Sequence, residues 1–99
     1  MNRLDDIRSW ARDRNLIKGS EPRAQMLKLA EEMGELAGAL ARGRHMDAYD
    51  AIGDMVVVLT ILSAQLDVFI EDCIDAAWEE IKDRKGRMVD GVFIREGGE

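Results

Sequence analysis

The stretch Leu29-Ala-Glu-Glu-Met-Gly-Glu-Leu36 places three carboxylates inside a segment that otherwise has the apolar spacing of a buried helix face. Isolated ionised groups are costly to bury, so acids crowded beside an apolar stripe usually meet a cation. A second acidic cluster, Asp47, Asp50 and Asp54, runs directly into the apolar segment Met55-Val-Val-Val-Leu-Thr-Ile-Leu62. The two clusters predict two helices that face each other and hold a divalent metal ion.

The length and charge of the chain limit what kind of protein it can be. Its 99 residues are enough for one small domain with a limited core. The net charge of −6 disfavours a nucleic-acid partner, because binding to phosphates needs Lys and Arg to displace counterions. The N-terminus does not resemble a signal peptide, and the longest apolar run, residues 55–64, is too short to span a bilayer. We therefore expect a soluble, cytoplasmic protein with no membrane partner.

The apolar spacing predicts an all-α fold, with four helices and a short C-terminal β-hairpin. The helices are predicted at about 3–14, 21–42, 46–65 and 68–85. Ser20 and Asp67 are candidate caps of the second and fourth helices, Gly43 ends the second and Gly86 the fourth. Asp90-Gly91 between two β-prone runs indicates a two-residue hairpin turn. No linker or repeat divides the chain, so residues 1–99 form a single domain.

Three helices carry apolar faces that we expect to lie in the core. These faces are Met26, Leu29, Ala30, Met33, Leu36, Ala37 and Leu40 on the second helix, Ile52, Met55, Leu59, Leu62 and Leu66 on the third, and Ile70, Cys73, Ile74, Ala77, Trp78 and Ile81 on the fourth. The third helix is also apolar on its acidic side, at Val57, Val58 and Ile61. A helix that is apolar nearly all round is central in a fold or buried between subunits. In so short a chain we favour subunits.

The spacing of the acids predicts the ligands of the metal. Glu32 and Glu35 are three residues apart, and Asp50 and Asp54 are four apart, so each pair can direct its carboxylates to one point. Hard oxygen ligands suit Mg²⁺ or Mn²⁺ rather than Zn²⁺. A ferritin-like di-iron site is disfavoured, because it needs a histidine three residues after a glutamate on two helices, and His45 fits no such pair.

Other polar residues have two possible interpretations. Acidic clusters on helices are commonly just solvated, and at 100° per residue Glu31 falls on a different face from Glu32 and Glu35. Gln25 and Lys28 lie on the flank of Glu32 and are candidate substrate contacts. Lys82 and Lys85 belong to a local basic cluster that suits either a phosphate group or a solvated helix end.

Two motifs together resemble a known family. Glu31-Glu-Met-Gly-Glu35 followed by Asp50-Ala-Ile-Gly-Asp54 is similar to the paired acidic motifs of the MazG-like, all-α nucleoside triphosphate pyrophosphohydrolases. The resemblance spans nearly the whole chain, as in small phage-type members, and its further segments are Trp10-Ala-x-x-Arg-Asn-Leu-Ile17, Gln25-x-x-Lys-x-x-Glu-Glu32, Glu80-Ile-Lys-Asp-Arg-Lys-Gly-Arg-Met88 and Asp90-Gly-Val-Phe93.

The resemblance implies Mg²⁺-dependent hydrolysis of an NTP or dNTP to the monophosphate and pyrophosphate, by attack of a metal-activated water on the α-phosphate. Glu32 and Glu35 match the family's metal ligands, and Asp54 matches its closing aspartate. Glu31 would orient the attacking water or support the site from behind. The sequence departs from the pattern at Ala51, where the family has an acid, so Asp50 is the candidate replacement. In this interpretation Lys82 or Lys85 helps pyrophosphate to leave.

The resemblance also implies a homodimer or homotetramer, acting in nucleotide pool cleansing or in phage nucleotide metabolism in the host cytoplasm. The competing hypothesis is a non-catalytic helical oligomer, a regulatory or adaptor protein that retains the fold. Ala51 is the feature of the sequence that favours this alternative.

Overall fold

The computed structural model describes residues 2–97, which form four α-helices and one two-stranded antiparallel sheet. The elements are α1 (Arg3–Asp13), α2 (Pro22–Ala41), α3 (His45–Gln65), α4 (Ile70–Ile81), β1 (Gly86–Val89) and β2 (Val92–Arg95). The predicted mostly helical class with a terminal hairpin is therefore confirmed. The fourth helix is shorter than predicted at both ends.

The two turns that flank α3 explain where α2 and α3 end. Gly43 has a φ of +67°, and the N–H of Arg44 donates to the Ala39 carbonyl at 2.9 Å. Asp67 has a φ of +60°, and the N–H of Val68 donates to the Ser63 carbonyl at 3.0 Å. At both positions a residue in the left-handed conformation ends the helix, and the hydrogen bond that follows it is accepted by a carbonyl of the last turn. Gly43 thus ends α2 as predicted, whereas Asp67 ends α3 instead of capping α4.

Two further sequence predictions about helix ends are wrong. The N-cap of α2 is Glu21, which makes no side-chain capping bond, and the Ser20 hydroxyl instead accepts a hydrogen bond from Gln25 Nε2 at 3.0 Å. Gly86 does not end α4; it begins β1 and pairs with Arg95. The helix stops earlier than predicted, at Ile81, and residues 82–85 connect it to the hairpin.

The hairpin itself forms as the sequence predicts. Asp90 and Gly91 both have positive φ, +50° and +81°, between the paired residues Val89 and Val92. Two consecutive left-handed residues are the signature of a type I′ turn, whose twist matches that of the strands. The two strands of the hairpin contact each other outside the helical core, and their side chains are almost all exposed.

The helical core is small and lies between α1, α2 and α3. Its buried apolar residues are Ala11, Leu29, Ala39, Ala48, Ala51, Val58 and Ile61. The radius of gyration is 16.3 Å, whereas a self-contained domain of this length has about 13 Å. The chain is therefore elongated for its size. In the part that the structure describes, no single helix is long and apolar enough to cross a bilayer; α3 and α4 meet that criterion only as a pair, bent by 104°.

The predicted core face of α3 does not lie in the core of the single chain. Ile52, Leu59 and Leu66 are exposed, while Val58 and Ile61 on the acidic side are buried. The side that carries Ala48 and Ala51 lets α2 approach closely, so α3 turns that side inwards and leaves its larger apolar side chains uncovered. The same correction applies to α4, on which Ile74 and Trp78 are exposed and Cys73 is not the core residue that its apolar stripe predicts. On α2, Leu29 is buried as predicted, but Met26, Met33 and Leu40 are exposed.

A buried arginine joins α1 to the start of α4. Arg8 is 6% exposed; its Nη1 and Nη2 donate to the two carboxylate oxygens of Glu71, each at 2.6 Å, and Nη2 also donates to Asp5. The guanidinium lies 5.2 Å from the centre of the Phe69 ring. The hydrogen bonds from Arg8 lower the pKa of Glu71 to about 2. A bidentate pair of this kind, with its guanidinium buried, holds the orientation of α4 against the rest of the chain.

We expect Glu71→Gln to destabilise the fold at pH 7 more than its control does, because it removes one of the two carboxylates that pair with the buried Arg8 and leaves only Asp5. The folded pKa of Glu71 lies below its ordinary value of 4.5, so the stabilisation is present above about pH 4.5 and is lost as the pH falls towards 2. Urea unfolding at pH 7 and at pH 3 measures both effects. The control is Glu80→Gln, which removes an exposed 3.5 Å pair with Arg84 and should change stability by less than about 0.5 kcal/mol. Equal losses in the two variants would contradict the role of Arg8.

Candidate metal centre

A buried glutamate on α2 is at the centre of the acidic cluster. Glu32 is only 4% exposed. Its carboxyl lies within hydrogen-bonding range of Glu35 on the same helix, and of Asp54 on α3. The hydrogen bond with Glu35, burial and the hydrogen bond with Asp54 together raise the pKa of Glu32 to about 7. The structure therefore brings together three of the four predicted ligands, from two consecutive helices.

Glu31 lies closer to this cluster than the helical wheel predicts. One oxygen from each of Glu31, Glu32 and Glu35 can be chosen so that all three lie within 4.8 Å of one another. Contrary to the helical-wheel prediction, the carboxylate of Glu31 therefore does not face away from Glu32 and Glu35. Glu31 also accepts a hydrogen bond from Lys28 Nζ at 3.3 Å. This bond, together with the charges of Glu31, Glu32 and Glu35, raises the pKa of Lys28.

A cleft of about 370 Å³ opens between α2 and α3 beside this cluster. Its walls carry four carboxylates and two guanidinium groups, and its remaining lining is made of small residues. The lining consists of Gly34, Glu35, Gly38, Ala39, Arg42, Arg44, Asp47, Asp50, Ala51 and Asp54. We call this feature the acidic cleft. Asp50 thus lines the same cleft as Glu35 and Asp54, although it is not among the carboxyls that raise the pKa of Glu32.

Ala51 has a clear structural place in the acidic cleft. It is 3% exposed and lines the cleft between α2 and α3. An acid at this position would occupy space that the cleft now leaves open. Ala51 therefore leaves the cleft open next to Asp50 and Asp54, and its side chain offers no oxygen donor.

The residues present fit a hard divalent cation. Glu32, Glu35 and Asp54 offer only oxygen atoms, and the buried position of Glu32 makes its charge costly unless a cation neutralises it. Glu31 and Asp50 can add donors from either side. His45, the first residue of α3, is exposed and does not line the acidic cleft. The donor set therefore suits Mg²⁺ or Mn²⁺.

The predicted substrate contacts are distributed over three places. Lys28 lies beside the acidic cluster, but Gln25 is half-buried one turn earlier and donates to Ser20. Lys82 pairs with Glu79 at 2.8 Å on α4. Lys85 lines another cleft, next to the hairpin, together with Glu80, Asp83, Arg84, Arg95, Glu96 and Gly97. Neither Lys82 nor Lys85 lines the acidic cleft of its own chain.

Sequence reasoning missed two residues of the acidic cleft, Arg42 and Arg44. They stand on either side of Gly43 in the turn between α2 and α3, and both line the cleft. The signal in the sequence is that Arg42 follows Glu35 by seven residues, which places both on one helix face.

Comparison with known proteins adds one relative of unstated activity. Over 62 residues, 63% of this chain, the sequence is 44% identical to an uncharacterized 18.2 kDa protein in the rep-hol intergenic region of Haemophilus phage HP1 (strain HP1c1). The chain spans only 38% of the length of that relative. No family model and no solved structure matches the chain. The fold and site thus define a helical protein with an acidic, two-helix cleft, similar over part of its length to a phage protein.

Proposed function

We propose that this protein is a MazG-like nucleoside triphosphate pyrophosphohydrolase, which converts an NTP or dNTP to the monophosphate and pyrophosphate with Mg²⁺. The observation that carries the proposal is that Glu32 and Glu35 on α2 meet Asp54 on α3 beside the acidic cleft. A cluster of carboxylates that offers only oxygen donors suits a substrate that arrives with its own metal. The phage origin of the relative is compatible with a role in phage nucleotide metabolism in the host cytoplasm, which remains part of the proposal.

Each acidic residue has a separate task in this proposal. Glu32, Glu35 and Asp54 would hold the cation, with Asp50 as a further ligand from α3. When bound, Mg²⁺ supplies positive charge to the phosphate oxygens and acidifies water. Glu31 would accept a proton from the attacking water, and Lys28 keeps Glu31 in place through their 3.3 Å contact. Burial of Glu32 excludes bulk water from the inner side of the site.

The direct test is a substrate panel. Each of the common NTPs and dNTPs is supplied with Mg²⁺, and monophosphate and pyrophosphate are measured separately. We expect equimolar release of both products from at least one nucleotide and none when EDTA replaces Mg²⁺. Release of inorganic phosphate in place of pyrophosphate would point to attack at the γ-phosphate and would overturn the proposed reaction. No release from any nucleotide at micromolar protein would overturn the enzymatic proposal.

The second candidate is a non-catalytic helical oligomer that keeps the fold. Ala51 favours it, because an oxygen donor is missing where the family motif has an acid. Isothermal titration calorimetry with Mg²⁺ or Mn²⁺ and a non-hydrolysable nucleotide separates the two candidates. The enzyme should bind nucleotide only in the presence of metal, whereas an adaptor should show no metal-dependent binding.

Self-association is part of the same proposal. Exposed apolar side chains of α3 and α4 surround a groove of about 380 Å³. Its lining is Leu59, Leu62, Ser63, Leu66, Val68, Ile70, Cys73, Ile74 and Ala77. The small core and elongated shape of the chain leave apolar faces on two helices without cover, and exposed apolar surface rimmed by polar residues can mark an interaction site. We propose that a second copy covers this groove, giving a homodimer or homotetramer.

We expect Ile74→Glu to convert the oligomer to monomer, because it places a charge in the apolar groove, where desolvation would be costly. The matched control is Ala76→Glu, which adds the same charge to the same helix outside the groove. Light scattering coupled to size-exclusion chromatography measures the mass of each variant. A wild-type chain that is monomeric at high micromolar concentration would overturn the proposed assembly, and dissociation by both variants would show that α4 carries no specific interface.

A further inference from the structure

The acidic cleft has a positive end as well as a negative one. Glu35 and Asp54 lie at one end, close to Glu32, and Arg42 and Arg44 lie at the other, where α2 turns into α3. The seven residues from Glu35 to Arg42 span about 10 Å along the helix axis. The two ends are therefore close enough for the phosphate chain of one nucleotide to contact both.

Neither arginine is neutralised by the acids around it. Arg44 makes no ion pair with any residue in the described range 2–97, although Asp47 and Asp50 line the same cleft. Arg42 donates from Nη1 to the Gly38 carbonyl of its own helix at 3.2 Å. That bond holds the guanidinium at the cleft and leaves its other N–H groups available.

The backbone of the cleft keeps this end open. The left-handed conformation of Gly43 places Arg42 and Arg44 on the same turn, and the Arg44 N–H is fixed by the Ala39 carbonyl. A Cβ added at Gly38 would lie 2.8 Å from Arg42 Nη1, while one at Gly34 would meet nothing within 4 Å. Gly38 thus leaves room for the guanidinium, whereas a side chain at Gly34 would meet open space.

We infer that Arg42 and Arg44 bind the phosphate groups at the end of the substrate that extends away from the acidic cluster. This inference rests on the proposed function and adds to it the cations that bind the departing pyrophosphate. Guanidinium groups suit this task, because their planar N–H groups match phosphate oxygens in pairs. Lys82 and Lys85, the cations that the sequence pointed to, lie outside the acidic cleft of the same chain. Arg42 and Arg44 are the cationic side chains that line it.

The test measures binding as well as turnover in the double variant Arg42→Gln/Arg44→Gln. We expect its affinity for inorganic tripolyphosphate with Mg²⁺, measured by calorimetry, to fall at least about tenfold. Its affinity for the nucleoside monophosphate product should stay within about twofold, and KM for the triphosphate should rise more than kcat falls. Arg42→Lys/Arg44→Lys should recover part of the lost affinity. The control is Arg12→Gln/Arg23→Gln, which removes two exposed charges outside the cleft and should behave as wild type.

The outcomes distinguish this inference from the proposed function. If wild type hydrolyses a nucleotide and the cleft variant binds tripolyphosphate as well as the control does, the arginine assignment is wrong and the proposed function stands. An equal loss for tripolyphosphate and for monophosphate would show a general loss of charge or structure and would also overturn the assignment. Wild-type protein that neither hydrolyses nor binds any nucleotide overturns both.

Discussion

Glu35→Gln and Asp54→Asn should each lower kcat for the preferred nucleotide at least about 100-fold, because changes even to the outer partners of a metal site cost 10–100-fold. Both residues contact the buried Glu32 and both line the acidic cleft. Each substitution keeps the shape of the side chain and removes one negative charge, so it weakens the hold on the cation without emptying the cleft. Initial rates of pyrophosphate release at saturating Mg²⁺ measure the effect, and circular dichroism checks that the helices remain.

The same pair of substitutions made elsewhere provides the control. Glu80→Gln on α4 and Asp13→Asn at the end of α1 remove exposed carboxylates outside the acidic cleft, and their rates should stay within about twofold of wild type. Asp50→Asn decides the remaining ligand: a loss as large as that of Asp54→Asn would make Asp50 the replacement for the acid missing at Ala51. Full activity in both Glu35→Gln and Asp54→Asn would remove these residues from the site.

The secondary structure was predictable because its signals are local. Apolar spacing defined four helices, and the Asp90-Gly91 pair defined the hairpin turn. The helix ends were predicted less well where one residue suits two different local conformations. Asp67 can cap a following helix or adopt a left-handed conformation at the end of the preceding one, and only the position of α4 decides between them.

The packing of the helices was not predictable from one chain's pattern. α3 is apolar nearly all round, so its sequence alone does not say which side meets α2. In the structure the side with small residues does so, and Ile52, Leu59 and Leu66 remain exposed. The apolar stripes on α3 and α4 predict core positions, but an apolar face that the single chain leaves exposed carries the same pattern as a core face.

The acidic half of the candidate site was predictable and the basic half was not. Glu32 and Glu35 share a helix face by their spacing, and the match to a second acidic motif suggested Asp54 as the opposite partner. The contribution of Arg42 and Arg44 depends on the turn that brings the end of α2 to the start of α3. The position of Lys82 and Lys85 in the fold depends on the direction in which α4 leaves α3, which no spacing rule encodes.

The metal-free protein should lose stability as the pH rises from 5 to 8, and Mg²⁺ should restore it. Glu32 has its pKa raised from an ordinary 4.5 to about 7 by Glu35, burial and Asp54. A raised carboxyl pKa means that the folded state holds the proton more tightly than the unfolded chain. The stabilisation is therefore complete below about pH 4.5 and is lost as the pH rises through about 7. A bound cation replaces the proton, so added Mg²⁺ should raise Tm at pH 8 by about 5 °C or more and have little effect at pH 5.

Glu32→Gln should abolish both the loss of stability at high pH and the response to Mg²⁺, because the amide is neutral at every pH and cannot hold a cation by charge. Thermal unfolding in EDTA should give this variant a higher Tm than wild type at pH 8 and a similar Tm at pH 5, while Mg²⁺ should no longer shift it. Glu80→Gln serves as the control, and it should retain the wild-type response to both pH and Mg²⁺. If Mg²⁺ does not change the Tm of the wild type at pH 8, the cation does not bind. If Mg²⁺ still raises the Tm of the Glu32→Gln variant, the cation binds elsewhere. Since the measurement needs no substrate, it tests the metal centre separately from the reaction proposed for it.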